Sequence, residues 1–332
     1  MKKEKILVFG AGGAMSQYMI PFLAEQGYQV DGVALQELKS EHPNITYTQG
    51  NAKDFNLRME FLSRNYDAVV DFLVYPSAEI PTMLPMILDH TDQYVFLSSG
   101  RIYDNLEVPV KETSPRLIDT SKDPYLLSSD DYCIYKGRAE NLLHSMERKN
   151  WTIVRPATTY SYLRYQLVTL EAADTVGRAR AGKKAVVPIQ AKDKPATLSW
   201  GGDVGPMIGN LLFKDAALGE TFNVNSAEHR TWGEIAEYYK DICGLESVWV
   251  DKEDYLKILN PNLYNRAPRW QLEYARLFNR IVDNSKALAV TGMRQEDMRP
   301  LYDGLKHEIE RTPRDIQWRV NQRMDDYLAA MK

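Results

Sequence analysis

Short apolar runs alternate with segments of helical periodicity through the first half of the chain. The runs cover residues 6–9, 29–35, 45–48, 67–73, 94–98 and 152–154. Helical periodicity is found at 16–26 and 54–64, where Gly27 ends the first helix and Asp54 caps the second. Runs that are apolar on both faces are typical of parallel strands covered by helices on both sides. The pattern therefore predicts an α/β fold built on a doubly wound parallel sheet of the Rossmann type.

The second half of the chain has a less regular pattern. Helices are predicted at 166–181 and at 203–213, the latter capped by Asp203, and short strands at 185–188, 196–200 and 221–225. Thr231 with Glu234 three residues later matches a capping box, and helical periodicity dominates from there to the end. We expect this region to form a smaller, mostly helical unit beside the sheet.

Composition narrows the class of protein. The chain has 332 residues and a net charge of −4, so no basic surplus favours nucleic acid as a partner. Its two cysteines, Cys133 and Cys243, support neither a disulfide framework nor a zinc cluster, and its five histidines lack the spacing of metal ligands. The apolar run after the charged start is too short for a signal peptide or a membrane span, and no later run reaches spanning length. We therefore expect a cytoplasmic protein that uses no metal and no membrane.

A glycine turn follows the first predicted strand. It has the spacing Gly10-x-x-Gly13-x-x-Ser16 and leads directly into the first predicted helix. This arrangement binds the pyrophosphate of a dinucleotide, because glycine lets the backbone approach the phosphates at a helix N-terminus. A plain tight turn is the alternative. The second predicted strand ends in Ala34-Leu35-Gln36 without an acid for the adenosine ribose, so the choice between NAD and NADP stays open.

Tyr132 and Lys136 are four residues apart, which puts them on one face of a helix, one turn from each other. An ammonium group so close stabilises a phenolate, and we expect it to lower the pKa of Tyr132 from its reference value of about 10. Such a phenol can give or take the proton of a sugar or alcohol hydroxyl. The spacing alone is common on surface helices, so its weight depends on the strands and the glycine turn that precede it.

With these features the chain resembles the extended short-chain dehydrogenase/reductase superfamily, in particular its NAD-dependent epimerase/dehydratase family. The segments that resemble the family's motifs, in the family's order, are Gly10-x-x-Gly13, Gly50-Asn51-x-x-Asp54, Leu97-Ser98-Ser99-Gly100-Arg101-Ile102-Tyr103, Tyr132-x-x-x-Lys136 followed by Glu140, Arg155-Pro156, and Asn223-Val224 with the later Asp283-x-Ser285-Lys286. The resemblance covers most of the chain. It implies a Rossmann domain at 1–160 that binds NAD or NADP, and a substrate-binding region at 161–332, with boundaries that interleave.

The resemblance also implies the residues of the site. Ser99, Tyr132 and Lys136 would be catalytic: Tyr132 would take the hydroxyl proton, Lys136 would lower the Tyr pKa and bond the nicotinamide ribose, and Ser99 would bond the reacting oxygen. The implied cofactor-binding residues are Gly10, Gly13, Ala14, Met15, Asn51, Ala52, Phe72, Leu73, Ser98, Tyr132, Lys136 and Pro156. The implied substrate-binding residues are Ser99, Arg101, Tyr132 and Thr158.

The implied substrate is a nucleotide sugar. An NAD(P)-dependent epimerase that acts through a transient keto sugar is the favoured function. The alternative is an NADPH-dependent 4-keto-sugar reductase or dehydrogenase, and a dinucleotide-binding regulatory protein without turnover is a third possibility. Dehydration is disfavoured, because the family's 4,6-dehydratases carry Asp-Glu where this chain has Gly100-Arg101. Thr158 stands where some epimerases have an Asn that contacts the diphosphate, which leaves that contact open.

A homodimer is expected, because many relatives pair through the helix that carries the Tyr-x-x-x-Lys motif and the helix after the fourth strand. Leu142, Leu143 and Met146 follow Tyr132 on the predicted helix. They could lie in such an interface or in the core of the subunit.

Overall fold

A seven-stranded parallel sheet forms the centre of the computed structural model, which describes residues 4–262 and 264–331. The strands of the described residues are β1 (Lys5–Phe9), β2 (Gln29–Ala34), β3 (Ile45–Gln49), β4 (Tyr66–Asp71), β5 (Thr91–Leu97), β6 (Trp151–Arg155), β7 (Thr158–Tyr160), β8 (Ala185–Pro188), β9 (Pro195–Ala196), β10 (Leu198–Trp200), β11 (Glu220–Asn223), β12 (Arg230–Thr231) and β13 (Ser247–Val250). The main sheet has the order β11-β6-β5-β4-β1-β2-β3. The predicted doubly wound parallel sheet is confirmed.

Helices cover both faces of this sheet and make up much of the second half. They are α1 (Ser16–Glu25), α2 (Phe55–Leu62), α3 (Ile80–Leu88), α4 (Leu117–Thr120), α5 (Pro124–Ser128), α6 (Tyr132–Ser145), α7 (Arg178–Arg180), α8 (Gly201–Gly209), α9 (Trp232–Cys243), α10 (Lys252–Leu259), α11 (Ala267–Gln271), α12 (Ser285–Thr291), α13 (Leu301–Glu310) and α14 (Gln322–Ala330). Asp54 caps α2 and Thr231 forms a capping box with Glu234 on α9, as predicted. No helix in the described ranges is long and apolar enough to cross a bilayer.

Alternate residues of each central strand lie on opposite faces of the sheet and pack with different helices. On β1, Ile6 and Val8 pack with α1 and α8, whereas Leu7 and Phe9 pack with α2, α3 and α6. All four side chains are fully buried, which explains the unbroken apolar run in the sequence. The strand order reverses between β1 and β4, so their carboxyl ends border a crevice of the kind that binds ligands in this architecture.

α8 packs on α1 at very short range. A Cβ on Gly201 would lie 2.3 Å from the carbonyl oxygen of Ala14, and one on Gly205 would lie 2.8 Å from that of Met15. Real Cβ contacts are longer than this, so glycine is required at both positions. The contact ties the second half of the chain to the start of α1, immediately after the glycine turn.

The second half has a core of its own and also returns to the main sheet. Large aromatic side chains, among them Tyr160, Trp232, Tyr239 and Tyr255, are buried in this second core. One strand of the second half, β11, pairs with β6 at the edge of the main sheet, with Phe222 opposite Val154.

The helix predicted at 166–181 is wrong for most of its length. Leu167 and Leu170 form an isolated antiparallel bridge, and Val168 between them has φ of +55°. A π-helical turn at Ala173–Gly177 and the short α7 follow. The bridge side chains are fully buried. Packing in the second core therefore overrides the helical pattern in this segment.

The prediction that Asp203 caps a helix is also wrong, because α8 begins two residues earlier at Gly201. Asp203 lies within the first turn, where its carboxylate accepts a hydrogen bond from the backbone N–H of Arg299 at 3.0 Å. Burial raises the pKa of Asp203 to about 6.

Candidate active site

A cavity of about 320 Å³ opens at the carboxyl ends of β5 and β6, between the sheet and the second core. The residues predicted for the site that line it are Met15, Ser99, Arg101, Tyr132, Pro156 and Thr158. Its polar lining also includes Arg164, Gln166, Glu171, Arg276 and Arg280. The cavity therefore brings the predicted Ser and Tyr together with the end of the glycine turn.

The glycine turn has the geometry of a phosphate-binding loop. Gly10 has φ of +82°, and a Cβ there would lie 3.1 Å from the Cβ of Phe72. The Ser16 hydroxyl accepts a hydrogen bond from Gly13 N–H and donates one to Gly10 O, each at 2.8 Å. Ser16 thus closes the loop where the usual pattern has a third glycine. The loop and the N-terminus of α1 fit a pyrophosphate, since both present backbone N–H groups close to the turn.

Gln36 lies over the loop at the end of β2. A Cβ on Gly12 would be 1.7 Å from Gln36 Nε2, so only a glycine at position 12 leaves room for the Gln36 side chain. Asn51, at the adenine position implied by the sequence, is exposed and accepts the backbone N–H of Lys53 at 3.0 Å. Its neighbour Ala52 is buried. At the end of β2, where an acid would bind the ribose hydroxyls, the chain therefore has the neutral amide of Gln36.

Ser99 and Tyr132 are held in place by the elements that they begin. Ser99 follows β5 and caps the 3₁₀ turn Gly100–Ile102, accepting the N–H of Arg101 at 3.1 Å. Tyr132 is the first residue of α6, which Asp131 caps through the N–H of Cys133. The two side chains line the same cavity, and burial raises the pKa of Tyr132 while hydrogen bonding by Ser99 opposes that rise. This is the hydroxyl and phenol pair predicted from the sequence.

Lys136 lies one turn further along α6 and is buried beneath the cavity. Its Nζ donates to Leu97 O at 2.5 Å and to Leu73 O at 3.3 Å, and lies 5.9 Å from the centre of the Tyr132 ring. Burial lowers the pKa of Lys136 to about 8, while the charges of Asp71 and Glu140 oppose that fall. Carbonyl groups at the ends of two strands therefore hold the ammonium group.

The expected fall in the pKa of Tyr132 is not found. Burial raises the pKa of this phenol, and the cations that act against the rise are Arg164 and Arg101. Lys136 makes its hydrogen bonds to backbone carbonyls instead of the phenol oxygen. The prediction considered the ammonium alone and left out the cost of moving a phenolate into the protein.

Arg101 takes a fixed position at the mouth of the cavity. Its Nη2 binds both carboxylate oxygens of Asp131, at 2.8 and 3.1 Å, and its Cζ lies 5.8 Å from the centre of the Tyr132 ring. Its Nε is buried and has no hydrogen-bond partner among the described residues. The cap of α6 thus also orients a cation toward the phenol.

Arg276 and Arg280 are functional candidates that sequence reasoning missed. Arg276 donates to Thr158 Oγ1 at 2.9 Å and to Val168 O at 2.8 Å, and Arg280 donates to Tyr103 O at 2.7 Å. No carboxylate of residues 4–262 or 264–331 forms an ion pair with either guanidinium. Burial and neighbouring cations lower the pKa of Arg276 to about 10 and that of Arg280 to about 9. Their charges are therefore available to an anionic ligand in the cavity.

The other predicted site residues lie around this centre. Gly10, Gly13 and Ala14 form the loop before α1, and Phe72 and Leu73 follow β4 beside Gly10. Ser98 is fully buried next to Ser99, outside the cavity lining. The described residues contain no group of three or more His, Cys, Asp or Glu side chains that could hold a metal ion.

No protein-family model matches the sequence, and no curated protein matches it. Solved structures do match the fold. UDP-glucose 4-epimerase from Thermotoga maritima, solved with UDP-glucose, is 20% identical with a TM-score of 0.66 over 92% of this chain and 97% of its own. UDP-glucuronic acid 4-epimerase from Bacillus cereus, solved with UDP-glucuronic acid and NAD, is 15% identical with a TM-score of 0.67 over 92% and 98%.

A third solved structure matches the full length of the chain. Pal from Bacillus thuringiensis is 15% identical with a TM-score of 0.68 and covers 99% of this chain and 100% of its own. At such identities the likeness concerns the fold, and it extends through both cores. The fold implied by the family resemblance is therefore confirmed.

Proposed function

We propose that this chain is an NAD(P)-dependent enzyme that modifies nucleotide sugars, and that it acts as an epimerase through a transient keto sugar. One observation carries the proposal: Ser99 and Tyr132 line one cavity at the end of the glycine turn, and Lys136 Nζ lies 5.9 Å from the centre of the Tyr132 ring. A hydroxyl, a phenol and an ammonium group in this order are suited to moving a proton on and off a sugar oxygen. The solved epimerases with this fold support the same function.

Residues on the sheet side of the cavity fit a dinucleotide. Gly10, Gly13, Ala14 and Met15 would hold its pyrophosphate at the start of α1, and Asn51 with Ala52 would contact the adenine. The nicotinamide end would lie against Phe72, Leu73, Ser98, Tyr132, Lys136 and Pro156. NAD is supported by the Bacillus cereus enzyme, and the neutral Gln36 leaves NADP as a competing form. We accordingly assign residues 1–160 mainly to the cofactor and 161–332 mainly to the substrate.

The chain's own groups would carry the proton. Tyr132 Oη takes the proton of the sugar hydroxyl, and Ser99 Oγ hydrogen-bonds the same oxygen while the C–O bond becomes C=O. The bound cofactor supplies reversible acceptance of the hydride from that carbon. Return of the hydride to the opposite face of the carbonyl carbon, and of the proton from Tyr132 Oη to the oxygen, would give the epimer with no net oxidation. Arg101 and Arg164 favour the phenolate during this exchange, since both lower the pKa of Tyr132.

The substrate side of the cavity fits an anionic group. Arg276 and Arg280 carry charges without carboxylate partners in the described chain, and a diphosphate would supply the missing anion. Thr158 is uncharged, and its Oγ1 accepts a hydrogen bond from Arg276 at 2.9 Å. The two arginines would thus anchor the substrate in place of the absent Asn, while the keto sugar turns to present its other face.

Dehydration is disfavoured for a further reason. Arg101 occupies a position at which 4,6-dehydratases have an acid, and it is paired with Asp131 at 2.8 Å. The guanidinium of Arg101 offers only donors and is bound to Asp131, so it is not suited to act as the acid or the base in the elimination of water.

The test is direct. The full-length chain is incubated with NAD⁺ and either UDP-glucose or UDP-glucuronic acid, and the products are resolved by NMR. The 4-epimer without net change in NADH absorbance is expected. Net consumption of NADPH with a keto sugar would instead indicate the reductase. Lack of binding to both dinucleotides, measured by calorimetry, would contradict the proposal. Mass analysis of the copurifying cofactor decides between NAD and NADP.

We further propose that the protein is a cytoplasmic homodimer. The helices α3 and α6 lie side by side on one face of the sheet. Leu143 is buried in the core, whereas Leu142 of α6, Met146 directly after α6, and Met83 and Met86 of α3 are only partly buried. These outer side chains support a dimer interface on that face. Light scattering on the purified chain is expected to give twice the mass of 38.1 kDa.

A further inference from the structure

A carboxylate that the proposed mechanism does not use is buried at the end of β4. Asp71 is 0% exposed and accepts three hydrogen bonds, from Tyr75 Oη at 2.7 Å, Tyr94 Oη at 3.0 Å and Leu73 N at 3.0 Å. Among the residues that the structure describes, no Lys, Arg or His lies within ion-pairing distance of it. A buried carboxylate without a direct cationic partner is costly, so its presence calls for a compensating interaction.

The same residue that binds Asp71 also binds Lys136. Leu73 donates its backbone N–H to Asp71 Oδ1, and its carbonyl oxygen accepts from Lys136 Nζ at 3.3 Å. The hydrogen bond from residue 73 back to the side chain of residue 71 is an Asx-type turn, which fixes the peptide orientation. Asp71 therefore fixes the peptide unit that directly precedes the carbonyl group holding Lys136.

This turn also lies against the glycine loop. A Cβ on Gly10 would be 3.1 Å from Phe72 Cβ and 3.6 Å from Leu73 Cδ2. The segment Phe72–Leu73 is thus enclosed between the loop on one side and Lys136 on the other. A change in the turn would move both the candidate pyrophosphate site and the lysine.

We propose that Asp71 is a positioning residue for Lys136: it holds the Phe72–Leu73 turn whose carbonyl binds the ammonium group, and it is the buried acidic side chain of that turn. The proposal deepens the proposed function, because it takes Lys136 as the lysine at the nicotinamide end. Tyr75 and Tyr94 complete the arrangement, since their hydroxyl groups donate hydrogen bonds to the same carboxylate oxygen.

The charged and titratable groups around Lys136 come from three parts of the chain. Asp71 faces it from β4, Glu140 and Tyr132 lie on its own helix, and Lys53 approaches from the segment after β3. The negative groups oppose the effect of burial on the pKa of Lys136, and Lys53 adds to that effect. Loss of the Asp71 charge leaves Glu140 alone to offset burial, so the ammonium group is expected to lose its proton at lower pH.

The test measures Lys136 directly and needs no substrate. The full chain is labelled with ¹³C at lysine Cε, the Lys136 resonance is assigned with Lys136→Met, and its shift is followed from pH 6 to 11. In Asp71→Asn the midpoint is expected to fall by about one pH unit or more relative to the wild type. Asp31→Asn is the matched control: Asp31 lies in the same sheet and accepts a hydrogen bond from the Tyr66 hydroxyl, but does not contact the turn. It is expected to leave the Lys136 midpoint unchanged.

A second substitution at Asp71 and a double variant extend this test. Asp71→Ser keeps an acceptor for Leu73 N–H but has no charge, so it is expected to lower the Lys136 midpoint as Asp71→Asn does. An unchanged midpoint in either folded variant overturns the proposal. If neither folds, the double variant Asp71→Asn with Lys136→Met decides: folding of the double variant supports a coupling between the two charges, and its failure to fold contradicts it.

The outcome is independent of catalysis. A chain with no epimerase activity can still show the shift, in which case the proposed function fails and the coupling stands. Epimerase activity with a Lys136 midpoint that does not respond to Asp71 would leave the function and remove this inference.

Discussion

Tyr132 is subject to opposing influences within one cavity. Burial raises its pKa, while Ser99, Arg164 and Arg101 act in the other direction. The phenol oxygen is the atom that would exchange the proton, so its removal deletes the acid-base step and leaves the surrounding packing intact. Its neighbour Tyr135 is buried on the same helix and lies outside the cavity lining.

Tyr132→Phe is therefore expected to reduce kcat by about 10²–10⁴-fold with the natural nucleotide sugar, the range ascribed to general acid-base catalysis. Binding of NAD⁺ is expected to change little, since only one hydroxyl is lost. Steady-state kinetics and calorimetry measure the two quantities, with Tyr135→Phe as the control. Substantial turnover in Tyr132→Phe would show that another group carries the proton.

Arg276 is expected to act on the substrate. Arg276→Gln removes the charge and keeps a donor of similar length, so KM or Kd for UDP-glucose is expected to rise by about tenfold or more, as for loss of a charge-assisted bond. Arg269→Gln is the matched control, because Arg269 is an exposed arginine of α11 paired with Glu253 at 2.6 Å. Equal effects of the two changes would argue against an anion site at Arg276.

Lys136 also makes a prediction about pH and stability. Its pKa is about 8 in the folded chain, against 10.5 for the free side chain. Between these values the unfolded chain binds more protons, so this residue makes the free energy of unfolding increase as pH rises from 8 to 10.5, by up to about 3 kcal/mol. Chemical denaturation at both pH values is expected to show this increase in the wild type, and its absence in Lys136→Met. An equal slope in both proteins would contradict burial of the charged amine.

Among the helices and strands, α8 packs against the start of α1, although the two helices are far apart in the sequence. Gly201 and Gly205 of α8 let it approach the carbonyls of Ala14 and Met15, at the end of the glycine turn. The geometry of the candidate pyrophosphate site thus depends on a contact between residues nearly two hundred positions apart.

Gly205→Ala is expected to destabilise the protein by about 1–3 kcal/mol, the usual cost of overpacking. Its Cβ would lie 2.8 Å from both Met15 O and Met19 N, so backbone must move, and NAD⁺ binding is expected to weaken as well. Gly209→Ala on the same helix meets side-chain atoms of Phe22 and Leu23 at 3.1 and 3.2 Å, which can adjust, so a smaller effect is expected. Thermal unfolding and calorimetry compare the two; the same loss in both would remove the special role of Gly205.

At the scale of the whole molecule, the two cores share the cavity and cannot be separated by a cut near residue 160. β11 pairs with β6 in the main sheet, and α8 covers the face of the sheet that α1 shares. Asp123, before α5, also accepts hydrogen bonds from Trp270 and Tyr274 of the second half of the chain, both at 3.2 Å.

A chain truncated to residues 1–160 is therefore expected not to fold. It would leave β6 as a bare edge and expose the apolar face that α8 covers, including Met19 and Leu23. Circular dichroism with thermal unfolding is expected to show a cooperative transition for the full chain and none for the truncated one. A cooperative transition in the truncated chain would show that the first 160 residues form an independent domain.

The central sheet, and the order of the candidate site residues along the chain, could be predicted from the amino-acid sequence alone. Strands buried on both faces leave unbroken apolar runs, and glycine turns and helix caps depend on neighbouring residues, so residues 6–9, Gly10, Gly13, Asp54 and Thr231 could be interpreted locally. The Ser, Tyr and Lys positions were found by family resemblance, and the structure brings Ser99 and Tyr132 into one cavity.

The pKa values of the site residues and the conformation of the irregular segment after β7 depend on tertiary contacts. The pKa of Tyr132 depends on burial and on Arg164 and Arg101, and the proposed anion site depends on Arg276 and Arg280, which are distant in sequence and have no local signal. Residues 166–181 follow the demands of the second core instead of their helical pattern. Burial and long-range electrostatics arise from which parts of the chain meet, and that information is not contained in any short stretch of residues.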